Sequence, residues 1–158
     1  MTSWTISWNE SIFPMFLNSI KRWNDCSNYT PIQLESIMSD LARVAIKKFK
    51  FPRKSTAYNY IVNDFGYRQY YFCGDDIADD EFAVIVAYMK YGWLNFQLSN
   101  DYNFENFYTD KNIKTFSSAN LNNSILSLVE AAKKEAIQTE QDYYAVSNYT
   151  PTIGDMYD

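Results

Sequence analysis

The chain contains no histidine. That excludes His-based triads, histidine general bases and nearly all zinc-enzyme sites. Cysteine is almost as scarce. Cys26 and Cys73 stand far apart in no metal-ligating spacing, which predicts two free thiols in a reducing compartment. Four glycines and four prolines in 158 residues argue against a loop-rich or repeat-built chain, and no internal repeat is visible. No 18-residue apolar run occurs, so no membrane span is expected. Met1 to Glu10 has neither a basic region nor an apolar run, which predicts no signal peptide. The sequons at Asn9, Asn28 and Asn148 therefore carry little weight. Positive charge is also short: 14 Lys and Arg stand against 19 Asp and Glu, a net charge of −5. Non-specific DNA binding needs clustered cations, so a DNA-binding role is disfavoured. An acidic wall along which DNA slides without sticking stays compatible. No Gly-rich phosphate loop and no G-x-S-x-G elbow occur, and the thiols lack a histidine to activate them. The expectation is a protein with no catalytic residue, no metal and no cofactor.

What is present is apolar and aromatic. Apolar residues make up 47% and aromatics 18%, with 14 Tyr and 11 Phe. That composition fits one folded domain with one core. So many rings are hard to bury in a chain this small, which predicts some at contacts with other chains.

Trp4, Ile6 and Trp8 alternate with Thr5 and Ser7, which reads as a short extended arm. It either pins the terminus to the core or docks on a neighbour. Ile12, Phe13, Phe16, Ile20 and Trp23 predict a helix over 11–24, with Ser11 able to cap it. Thr30-Pro31-Ile32-Gln33 is a capping box with Pro at the first helical position. Leu34, Ile37, Met38, Leu41, Val44 and Ala45 continue it as one stripe, giving a helix over 31–49. Lys47, Lys48 and Lys50 read as complements of its C-terminal dipole rather than as a phosphate site. Residues 56–73 read as a β-hairpin broken at Asn63-Asp64-Phe65-Gly66. The acids Asp75, Asp76, Asp79, Asp80 and Glu81 do not follow the EF-hand pattern and read as a helix start. Phe82, Ile85, Val86, Met89, Trp93 and Phe96 carry that helix over 79–98. A helical turn is expected near 103–109. A last helix over 117–144 shows Leu121, Ile125, Leu128, Ala132 and Ala136 on one side. Its charged side, with Glu130, Lys133, Lys134, Glu135 and Glu140, can form i,i+4 pairs. Pro151 and Gly154 predict that regular structure stops, leaving 147–158 as a tail. The expected fold is a small, mainly α bundle of three to four helices over 1–146, with an inserted β-hairpin and extended terminal arms.

Two stretches carry a resemblance. One is DDIADDEFAVIVAYMKYGWLNFQL, with an acidic helix start leading to K-Y-x-W-L at Lys90, Tyr91, Trp93 and Leu94. The other is D-K-x-x-K-x-[FY]-S-x-A-N at Asp110, Lys111, Lys114, Phe116, Ser117, Ala119 and Asn120, followed by a long helix ending in paired tyrosines. FKFP at Phe49 to Pro52 accompanies them. Over about two-thirds of its length the chain resembles the head–tail connector adaptors, or head-completion proteins, of long-tailed bacteriophages. The first 28 and last ten residues show no such likeness.

The resemblance implies a structural protein of the virion neck, made in the host cytoplasm. It implies a ring of twelve copies beneath the portal, extending the DNA channel and seating the next neck or tail protein. DNA passes its lumen without specific binding, and no membrane is involved. The isolated apolar residues of the tail, Tyr149, Pro151, Ile153, Met156 and Tyr157, are expected to grip the portal. Trp4, Trp8, Tyr58, Tyr60, Tyr70 and Phe72 are the candidates for contacts between subunits. The rival readings are another neck position, such as a stopper or tail terminator, and a small acidic phage-encoded inhibitor of a host protein.

Overall fold

Local signals and burial build the fold in a computed structural model that describes residues 6–20, 29–99 and 118–157. Side chains of 98–99, 118–125 and 147–157 lie outside that description, as do Trp4, Trp23, Cys26 and the turn expected near 103–109. The described residues form four helices and one three-stranded sheet: β1 (Ile6–Ser7), α1 (Ile12–Ser19), α2 (Pro31–Lys48), β2 (Tyr58–Val62), β3 (Arg68–Phe72), α3 (Asp79–Ser99) and α4 (Ser118–Tyr157). The chain is mainly helical with a hairpin set between α2 and α3, the architecture expected from the sequence.

Helix α2 starts where its capping box sits. Thr30 Oγ1 accepts from the Gln33 N–H at 3.2 Å, and the Gln33 side chain accepts from the Thr30 N–H at 3.0 Å. Its buried face is rotated from the expected stripe. Met38, Ser39, Ala42 and Ala45 are buried, while Val44 is exposed. Ser39 can turn inward because its hydroxyl donates to the Glu35 carbonyl at 2.8 Å, so no polar group is left unpaired. Ser11 makes no side-chain cap on α1; its hydroxyl donates instead to the Ser7 carbonyl at 2.7 Å.

Helix α3 is the central element and packs against α1, α2 and α4. It is buried on several sides, with Phe82, Val84, Ile85, Val86, Met89, Trp93 and Leu94 all in the core. Its acidic start behaves as a cap. The Glu81 carboxylate accepts from the Ala78 N–H at 3.2 Å, and Asp79, Asp80 and Glu81 occupy the first turn. A Cβ on Gly92 would lie 2.9 Å from Leu41 Cδ2, so the absent side chain lets α2 approach α3.

Helix α4 buries Val129, Ala132, Ala136 and Tyr143. It does not end near Tyr143 or Tyr144 as expected, but runs through Pro151 and Gly154 to Tyr157. Pro151 withdraws one backbone donor, which costs about 3 kcal/mol in a helix interior. Extending a formed helix gains one bond per residue without a new nucleus, so one lost bond need not end it. The charged residues Glu135 and Glu140 reach across to α3: Lys90 pairs with Glu135 at 3.0 Å and the Tyr88 hydroxyl donates to Glu140 at 2.5 Å, while Glu140 also accepts from Tyr144 one turn along α4.

The sheet is antiparallel in the order β1-β3-β2, with Ile6 opposite Phe72 and Tyr58 also opposite Phe72. The arm is thus the third strand. Trp8 continues its ladder, donating its N–H to the Tyr70 carbonyl at 3.1 Å. Its indole stacks on the Tyr70 ring at 4.8 Å and touches Phe72 and Tyr58 at 5.6 and 5.0 Å.

Candidate interaction surfaces

The turn at the hairpin tip is built by its own sequence. The Gly66 N–H donates to the Asn63 carbonyl at 2.9 Å, and the Asn63 N–H donates to the Tyr67 carbonyl at 2.8 Å. Gly66 has φ +83°, the left-handed conformation that a three-residue hairpin loop requires. Asn63 Oδ1 accepts from both the Phe65 and Tyr67 N–H groups, at 3.0 and 2.9 Å. A turn with that many internal bonds is well ordered, and it places Phe65 at its apex. Phe65 is 83% exposed.

The rest of the tip is apolar as well. Tyr58, Tyr60 and Val62 share a face with Arg68, Tyr70 and Phe72, because cross-strand partners project together. Near the base that face is buried, at Tyr70 and Phe72; toward the tip it runs off the core and leaves Tyr60 and Val62 exposed. Ile61 on the opposite face and Tyr67 beyond the turn are exposed too. The Arg68 guanidinium lies over the Tyr60 ring at 4.5 Å. Single exposed apolar residues are ordinary, but a contiguous group on one projecting element marks a contact site.

Two cues from the sequence meet at a second place. FKFP, at the end of α2, lies against the paired tyrosines of α4. The Phe49 ring meets Tyr143 edge-on at 5.1 Å, and Phe51 meets Tyr144 at 6.0 Å. The Tyr143 hydroxyl accepts from the Arg53 N–H at 2.7 Å, and the Tyr144 hydroxyl accepts from the Phe51 N–H at 3.1 Å. Glu140 is the hub. It accepts from the hydroxyls of Tyr88 and Tyr144 and from the Lys50 N–H. Burial and the bond to Glu140 push both tyrosine hydroxyls above their ordinary pKa. The same network floors an open groove of about 410 Å³ between α2, α3 and α4, rimmed by Lys48, Lys50 and Lys133. Lys48 Nζ sits over the Tyr91 ring at 4.6 Å. Among the described residues, none of these three ammonium groups has a carboxylate within salt-bridge distance.

The expected contact residues fall into separate groups. Trp8 and Phe72 are fully buried and Tyr70 nearly so. Their rings are spent inside the chain, so they are withdrawn as contacts between subunits. Tyr58 is half-buried under Trp8, whereas Tyr60 stays at the surface. Trp4 and the side chains of Tyr149, Pro151, Ile153, Met156 and Tyr157 lie outside the described residues. Two acids around the start of α3 are paired locally, Asp76 with Lys54 at 3.6 Å and Asp80 with Arg53 at 3.5 Å. Among the described residues no three acidic or cysteine side chains gather as for a metal ion, and no helix is long and apolar enough to cross a membrane. Cys73 is exposed and free.

Sequence reasoning did not single out Phe65 as an exposed ring, although a large ring inside an Asn-Asp-x-Gly turn is itself an unusual signal. It also read Lys47, Lys48 and Lys50 as dipole partners rather than as a phosphate site; nothing local says that α4 brings Lys133 to the same groove as Lys48 and Lys50. No family model, curated protein or solved structure matches this chain.

Proposed function

We propose that the chain is a non-enzymatic subunit of a phage neck, an adaptor ring beneath the portal that extends the DNA channel and seats the next neck or tail protein. The observation that carries this reading is the ordered hairpin with its exposed apolar tip. A domain that folds around α3 and still holds five apolar side chains out on one arm is suited to contact other chains. The resemblance supplies the kind of assembly, and its FKFP and paired-tyrosine cues meet in one clasp that fixes α4 against the end of α2. The net charge of −5 suits a channel that DNA must traverse without sticking. In this reading the end of α4, with Tyr149, Pro151, Ile153, Met156 and Tyr157, grips the portal.

The rivals find less support. Stoppers and tail terminators tend to be richer in strand than this mainly helical chain. An acidic inhibitor that mimics DNA needs a continuous carboxylate face, whereas these acids cap α3 or pair with Arg53 and Lys54. The test is co-sedimentation of the purified chain with the portal ring of the same genome. The full chain is expected to co-sediment and the chain lacking 147–158 is not. Retention of the shortened chain overturns the assignment of the tail; failure of the full chain overturns the adaptor reading.

A further inference from the structure

The hairpin tip carries an exposed ring and an exposed carboxylate at its turn, the groove carries an aromatic lining and a cationic rim, and both lie on one chain. The tip offers a ring at the apex of a stiff turn, Phe65, with the exposed carboxylate of Asp64 beside it. The groove offers an apolar and aromatic lining, including Phe51, Tyr91 and Ile137. Its rim carries three ammonium groups against the single carboxylate of Glu140, which already accepts three hydrogen bonds. A volume of about 410 Å³ is ample for one aromatic side chain. No hairpin residue lines the groove of its own chain.

We infer that the hairpin tip of one copy seats in the groove of the next, Phe65 entering the aromatic lining and Asp64 facing Lys48, Lys50 and Lys133. A knob and a hole at different places on one chain make a heterologous contact, in which each copy gives its tip and receives another. Such contacts repeat until a ring closes. The inference rests on the ring reading for its symmetry, and it names the surfaces that reading needs. The aromatic excess of the sequence then has a use at this joint.

The test needs only the purified chain, so its outcome is separate from portal binding. A photoreactive phenylalanine analogue at position 65 is irradiated at the highest soluble concentration, and crosslinks are mapped by mass spectrometry. Crosslinks between copies that fall on the groove, around 133–144 or 48–51, are expected. Crosslinks elsewhere, or none between copies, overturn the inference. A complementation experiment adds a second readout by sedimentation velocity. Phe65→Asp destroys the knob, and Lys50→Glu with Lys133→Glu destroys the hole; all three positions are exposed, so each variant is expected to keep the parent's fold, checked by its melting temperature before the association measurement. Each variant alone is expected to lose self-association by roughly tenfold or more. Mixed, they are expected to form a one-to-one pair and no larger species, because one good knob meets one good hole. A mixture that stays monomeric, or single variants that associate like the parent, contradicts the proposed contact.

Discussion

At the residue scale the molecule turns on a few side chains whose surroundings are set by distant parts of the chain. Glu140 holds three elements together through Tyr88, Tyr144 and the Lys50 N–H. Replacing Tyr88 with Phe removes one donor to a charged acceptor, and urea denaturation is expected to show a loss of about 1–2 kcal/mol. The tyrosine shifts also set a pH limit. Both hydroxyls have a folded-state pKa raised by burial and by Glu140. The folded state therefore holds these protons more tightly than the unfolded chain. Their contribution is complete below the ordinary tyrosine pKa of about 10 and falls as pH rises above it. Alkaline unfolding should be less steep in Tyr88→Phe than in the parent. Gly66→Ala meets no atom within 4 Å, so its cost is the left-handed backbone alone, about 1 kcal/mol. Very little of this scale was legible in the sequence. Glu140 read as a solvated helix residue, because nothing near it in sequence says that Tyr88 lies opposite.

At the element scale the sequence spoke clearly wherever the signal was local. Thr30-Pro31-Ile32-Gln33 gave the start of α2, and both capping-box bonds are present. Thr30→Ala is expected to cost about 1 kcal/mol, read as a lower melting temperature. The alternation of Ile6 and Trp8 pointed to an extended arm, and the arm is the edge strand β1. Trp8 packs against four rings. Trp8→Ala should therefore cost about 3–5 kcal/mol and release β1 from β3, seen as faster amide exchange at Tyr70 and Phe72. Two features were misread for physical reasons. Val44 fits a helical stripe by spacing, but the neighbours of α2 are aligned with Ser39 and Ala42. Pro151 is a breaker by propensity, yet α4 continues through it. At Val44 the packing of α2 outweighs the spacing, and at Pro151 extension of an already formed helix outweighs one lost bond.

At the scale of the whole molecule, three features go together: a helical core around α3, an apolar hairpin tip on one arm and a basic groove beside the tyrosine clasp. The aromatic excess suggested contacts with other chains, but it did not say which rings the fold buries and which it exposes. Trp8, Tyr70 and Phe72 are needed inside, and Phe65 is presented outside. Only the folded chain separates them, since all four sit in similar aromatic and polar stretches. The adaptor account is tested most directly by native mass spectrometry of the purified chain mixed with the portal ring of the same genome. It predicts one discrete species carrying a full set of copies per portal, twelve for a twelve-fold ring. A portal spectrum unchanged by excess chain at near-physiological salt would contradict it.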